Sequence, residues 1–164
     1  MKKVIFFISA FLSFGVMAEE CPVKYKEADF LAAIGKEPEK MQVLKDDGMV
    51  RHQYFFRKEL TDEEAFEEGS KAQYEPQLYV TIYEPPCPEK ISIFFFGNED
   101  KSMNEVNVAL AGKAFEYLTG TSSTIFANKM EKFKGVQRFE SNDEKADSVF
   151  AKTDNSYSIQ IQLK

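Results

Sequence analysis

From Leu78 to Gly97 the chain reads LYVTIYEPPCPEKISIFFFG, two runs of period-two hydrophobicity joined by a turn that holds three prolines. No other stretch restricts the fold as tightly. Side chains alternate between the two faces of a strand, so Leu78, Val80 and Ile82 share one face and Tyr79, Thr81 and Tyr83 the other. In the second run Ile91, Ile93 and Phe95 oppose Phe94 and Phe96. A strand that is apolar on both faces near its end belongs inside a sheet, with one face on the main core and the other partly covered. The pair reads as a hairpin, stiffened at its tip by Pro85, Pro86 and Pro88.

Cys87 stands in that tip, and the second cysteine of the chain is Cys21. The redox state of the pair follows from the amino end. MKKVIFFISAFLSFGVMAEE combines a basic head at Lys2 and Lys3, an apolar run from Val4 to Val16 and a small-residue site ending at Ala18. That is the pattern of a secretory signal peptide over residues 1–18, cut after Ala18, and the apolar run is too short to span a bilayer. Glu19 and Glu20 separate the cut from Cys21, which speaks against a lipid anchor, so the expected product is periplasmic or extracellular without stable membrane insertion. The short, basic-headed leader suits a bacterial origin. In an oxidising compartment two cysteines have one intramolecular pairing, Cys21–Cys87, which ties the new amino end to the proline-rich tip. C-x-x-C spacing, the mark of a redox pair, is absent.

Residues 19–164 have the length of a single domain, large enough to bury a core without depending on the bridge. YKEADFLAAI (25–34) places Phe30, Leu31 and Ile34 on one helical face with Gly35 as its cap. MQVLKDDGMVRHQYFFRKEL (41–60) holds the turn pair Asp47-Gly48 between two strand-like runs; Val50, His52, Tyr54 and Phe56 point one way, Arg51, Gln53, Phe55 and Arg57 the other. Thr61 and Glu64 have capping-box spacing at the head of a short acidic helix ending near Gly69. Ser102 and Glu105 repeat that spacing before a long helix to Gly120, with Val106, Leu110, Ala114 and Leu118 as its apolar stripe and Phe115 beside it. A further helix carries Ile125, Phe126, Met130 and Phe133. Three short strands close the chain, the last alternating Tyr157, Ile159, Ile161 and Leu163 against Ser158, Gln160 and Gln162. The expected fold is α+β: a mostly antiparallel sheet of about seven strands, two central helices on one face and a short N-terminal helix.

Chemistry is sparse. The chain has one histidine, His52, in a predicted strand, and no H-E-x-x-H, G-x-S-x-G or phosphate-loop motif, so the reading is of a protein that is not an enzyme and has neither a cofactor nor a metal site. Net charge is −6, and loss of Lys2 and Lys3 with the leader takes it to −8. Such a surface repels nucleic acid and suits a basic protein partner. The expected function is therefore an exported protein-binding module, such as an inhibitor or immunity-type protein facing an envelope toxin or hydrolase. Its expected contacts are Asp62, Glu63, Glu64, Glu67 and Glu68, with Pro86 at the hairpin tip as a second point. The alternative is a periplasmic carrier or sensor of a small apolar ligand. Sixteen Phe and seven Tyr motivate it, and its ligand would lie on Tyr79, Tyr83, Phe94 and Phe96. Nothing in the sequence fixes an oligomeric state.

Overall fold

A computed structural model describes Cys21 and residues 25–56, 78–97 and 101–164, the side chains of residues 101–103 excepted. The predicted leader, the predicted acidic helix with its Thr61–Glu64 cap, and the Ser102 side chain lie outside the described residues.

Among the described residues seven strands form one antiparallel sheet: β1 (Lys40–Asp46), β2 (Met49–Phe55), β3 (Leu78–Tyr83), β4 (Lys90–Phe96), β5 (Arg138–Asn142), β6 (Ala146–Thr153) and β7 (Ser156–Leu163). Their order is β1-β2-β3-β4-β7-β6-β5. Two meanders thus meet where the last strand docks on β4. The phenylalanine-rich strand is the fourth of seven, as its two apolar faces require. The β1–β2 turn is made by Asp47 at φ 49° and Gly48 at φ 83°. Positive φ at both central residues matches the twist of a two-residue hairpin, and glycine adopts it without a Cβ clash.

Among the described residues three helices pack against the sheet: α1 (Glu27–Ile34), α2 (Lys101–Thr119) and α3 (Ser123–Met130), the last running on into a 3-10 turn over Glu131–Lys134. The covered face supplies Leu78, Val80, Ile82, Ile91, Ile93, Ile159 and Ile161, each with no accessible surface. From the helices come Phe30, Ile34, Ala111, Ala114, Phe115 and Phe126, equally enclosed. Phe115, Phe126 and Phe150 form a tilted trio with centroids 5.1–6.0 Å apart. Gly112 allows this close packing: a Cβ there would lie 3.2 Å from both the Phe126 ring and the Ser123 side chain.

Two helix-face assignments need correction. Val106 is 39% exposed and Ile125 49% exposed, so neither belongs to the buried stripe. Asn107 takes the buried place on α2, where its amide donates to the Phe96 carbonyl oxygen at 3.1 Å. A carbonyl at a strand end needs a donor, and a hydrophobic periodicity does not register an asparagine that supplies one.

Candidate functional site

Every described helix lies on one side of the sheet, and the other side presents its side chains outward. The strand register sets what that open face displays. Lys40, Phe55, Tyr79, Phe94 and Ser158 face one another in successive strands and form a row. Gln42, Gln53, Thr81, Ser92 and Gln160 form the next row, a polar ladder.

The first row is aromatic. Phe55 meets Tyr79 edge-on at 5.4 Å between centroids, Tyr79 meets Phe94 at 6.0 Å and Phe96 at 6.3 Å, and Phe94 meets Phe96 edge-on at 4.9 Å. Edge-to-face contacts set the negative ring face of one partner against the positive rim of the next, which fixes ring orientation. Lys40 adds its ammonium over the Phe55 ring at 5.6 Å. Phe96 keeps 37% of its surface exposed, while Phe55, Tyr79 and Phe94 are half-buried, each shielding its neighbours. The cluster is therefore held rigidly by three strands and remains open outward.

Three of the four aromatics expected to act together, Tyr79, Phe94 and Phe96, do meet. Tyr83 does not join them. It lies four residues along β3, roughly 13 Å away at strand rise, beside Arg51 in the register and with the Lys90 ammonium 5.1 Å from its ring centroid. Phe55 takes its place in the cluster. Its outward direction is legible in the β2 pattern, but its nearness to Tyr79 depends on β2 pairing with β3.

Toward the other half of the sheet the open face becomes polar. A groove of about 640 Å³ there is bordered by Lys90, Glu140, Asp147, Gln160 and Gln162. Further clefts of about 540, 450 and 270 Å³ lie elsewhere, and none of the four is lined by Phe55, Tyr79, Tyr83, Phe94 or Phe96.

The Cys21–Cys87 bridge is formed, with Cα atoms 5.1 Å apart. It lies at the proline tip, the end of the β3–β4 hairpin away from Tyr79 and Phe96. Pro86 is exposed there and Pro88 buried. Asp62, Glu63, Glu64, Glu67 and Glu68 lie outside the described residues. The residues that flank that stretch, Phe56 and Leu78, are bonded to each other at the aromatic end of the sheet, Phe56 N–H donating to Leu78 O.

The histidine is absorbed in a joint between α1 and β2. His52 Nδ1 lies 2.8 Å from Glu27 Oε1, and the Tyr54 hydroxyl donates to the same oxygen. Burial first, then the hydrogen bond to Glu27 and its negative charge, push the Tyr54 phenol well above the ordinary tyrosine range. Burial likewise raises Tyr25 nearby, reinforced by Glu27. Phenols held neutral in this way are poor nucleophiles and poor bases at physiological pH. The joint binds α1 to the sheet. Among the described residues no three His, Cys, Asp or Glu side chains converge as a metal site, and no helix is long and apolar enough to cross a membrane.

Comparison with known proteins finds no matching family model, no matching curated sequence and no matching solved structure. The functional reading rests on the chemistry of the open face.

Proposed function

We propose that this chain is an exported, non-enzymatic recognition module, an inhibitor or immunity-type protein that binds another protein of the cell envelope through the open face of its sheet. Export is supported by the leader pattern of residues 1–18, and the Cys21–Cys87 bridge is consistent with an oxidising compartment. The observation that carries the reading is the Phe55–Tyr79–Phe94–Phe96 cluster, an aromatic surface fixed by strands and open outward. Rigid aromatics surrounded by polar groups are the usual anchors of protein interfaces, because they bury much area and lose little conformational entropy. The Gln/Thr/Ser ladder beside the cluster supplies a polar rim. The acidic segment Asp62–Glu68 is the proposed electrostatic contact for a basic partner. A carrier of small apolar ligands would instead enclose its ligand in a cavity lined by these rings, and among the described residues none of the four clefts named above is lined by them.

The test places a photo-crosslinking residue at position 96 or, as a control, at position 125 on the helix side, in protein exported by living cells. The expected result is one discrete protein adduct from position 96, weakened by added salt, and none from position 125. Identical adducts from both positions, or none from either, would overturn the reading. A lipid or metabolite retained by the purified protein in native mass spectrometry, and lost in Phe94→Ser, would favour the carrier.

A further inference from the structure

β1 ends the sheet on one side, and among the described residues nothing pairs with its outer edge. Natural edges are commonly blunted by bulges, prolines or short length. β1 carries charge at Lys40, Lys45 and Asp46, and Glu39 shares Phe55 with Lys40 at its start, but from Lys40 to Asp46 its seven residues pair with β2 in unbroken register with no proline among them. Its Met41 and Val43 are 43% and 48% exposed on the helix side of the sheet, beyond the cover of the helices.

The direction of its backbone groups can be read from β2. Phe56 N–H donates to Leu78 O and Glu84 N–H donates to Val50 O, so the even-numbered residues of β2 address β3. Alternate residues of a strand address opposite neighbours, so the odd-numbered residues of β2 address β1. Their register partners Lys40, Gln42, Leu44 and Asp46 spend their backbone groups inward. The N–H and C=O groups of Met41, Val43 and Lys45 are left pointing to the outer edge.

We propose that β1 pairs antiparallel with β1 of a second copy of this chain, about a two-fold axis at Val43. This is independent of the partner proposed for the open face. With the axis at Val43 all seven residues of each strand find a partner, and the outward backbone groups of the two copies meet as hydrogen-bonded pairs. Val43 faces Val43 of the second copy, and Met41 lies along the aliphatic stem of Lys45, covering the two exposed apolar residues. At each end Lys40 faces Asp46, opposite charges on the same face. Asp46 already accepts from Arg51, and a carboxylate has acceptor capacity for both. An axis at Gln42 or Leu44 would oppose residues whose backbone groups are already bonded inward. The pairing is isologous and closes at two copies. Paired residues share a face, so the two aromatic clusters would lie on one side of a continuous fourteen-stranded sheet (seven strands from each copy), giving the dimer two equivalent binding surfaces.

Sedimentation equilibrium of the oxidised protein over a dilution series is expected to show monomer and dimer and nothing larger. Val43→Lys sets two ammonium groups across the axis at a half-exposed site and should weaken dimerisation by on the order of tenfold or more, like charges directly opposite being unfavourable. Asp46→Lys should weaken it as well, and the exchange Lys40→Asp with Asp46→Lys should restore it. Far-UV circular dichroism and thermal melts identify any variant that has lost its fold. Wild-type protein that stays monomeric at every concentration would overturn the proposal. So would a dimer unaffected by Val43→Lys in a folded variant, or growth beyond two copies, which would indicate a head-to-tail contact between β1 and another edge.

Discussion

Asp143 shows how much one side chain can decide. Its carboxylate is almost fully enclosed, with 6% of the side chain exposed, and Lys129 reaches it at 2.6 Å from the end of α3. Thr121 donates to Oδ1 at 2.5 Å and Ser141 to Oδ2 at 2.9 Å. Burial alone would raise its pKa. The hydrogen bonds from Lys129, Thr121 and Ser141, with the lysine charge, outweigh burial and hold it below the ordinary aspartate value. A folded-state pKa below the unfolded one means that the stabilisation is fully present above about pH 4, the unfolded value, and is lost as pH falls through the folded value. Asp143→Asn leaves Lys129 with only 13% of its side chain exposed and no counter-charge from Asp143. That should cost roughly 2–3 kcal/mol at neutral pH, somewhat under the loss for a fully buried pair. Urea melts of wild type and variant should differ most above pH 4 and converge in stronger acid. A gap that stays constant with pH would show that packing, not charge, carries the effect.

At the scale of elements, the pair Val106 and Asn107 separates what a pattern reveals from what it conceals. Apolar spacing marks Val106 as core, yet the helix is rotated so that Asn107 faces β4 and bonds the Phe96 carbonyl. Asn107→Ala should therefore cost about 1–2 kcal/mol, the loss of a part-buried hydrogen bond together with the packing of a buried side chain. Val106→Ala should cost within about 0.5 kcal/mol, as expected of an exposed site. Denaturant midpoints at unchanged slope measure both, and the reverse ranking would restore the sequence-based stripe. Strands were more legible than helix faces for a geometric reason. Period-two alternation leaves only two choices of face, and in β3 and β7 the apolar set is unambiguous, whereas a helix can rotate by a fraction of a turn to satisfy one polar group. Cross-strand neighbours stay hidden in either case. Nothing local to Phe55 says that it will sit against Tyr79, whereas the distance of Tyr83 from the cluster follows from its four-residue separation from Tyr79 along β3. The open face was partly visible as a second apolar side of β4; its assembly needed the strand order.

Considered as a whole molecule, the chain has, among its described residues, two independent ties between the sheet and the region of Cys21 and α1. One is the bridge from Cys21 to the β3–β4 tip. The other is α1, which sends Phe30 and Ile34 fully into the core, links Glu27 to His52 and Tyr54, and offers the Lys26 carbonyl to the Tyr117 hydroxyl at 3.3 Å. Because the second tie is native packing, the bridge acts chiefly on the unfolded chain, where closing a loop over a separation of 66 residues removes conformational freedom equivalent to about 4 kcal/mol. Replacing both cysteines, Cys21→Ser with Cys87→Ser, should therefore leave a folded, cooperatively melting protein whose Tm is lower by on the order of 10 °C. Hydrogen exchange distinguishes the two ties. Amides around Pro86 should exchange faster in the variant in proportion to any local loosening, while those of α1 should remain protected up to the reduced global stability. Early exchange throughout α1 would mean that the bridge, not Phe30 and Ile34, holds the helix on the sheet. The open-face cluster lies at the far end of the β3–β4 hairpin from the bridge, so partner adducts through position 96 should survive the double substitution wherever the protein is still folded.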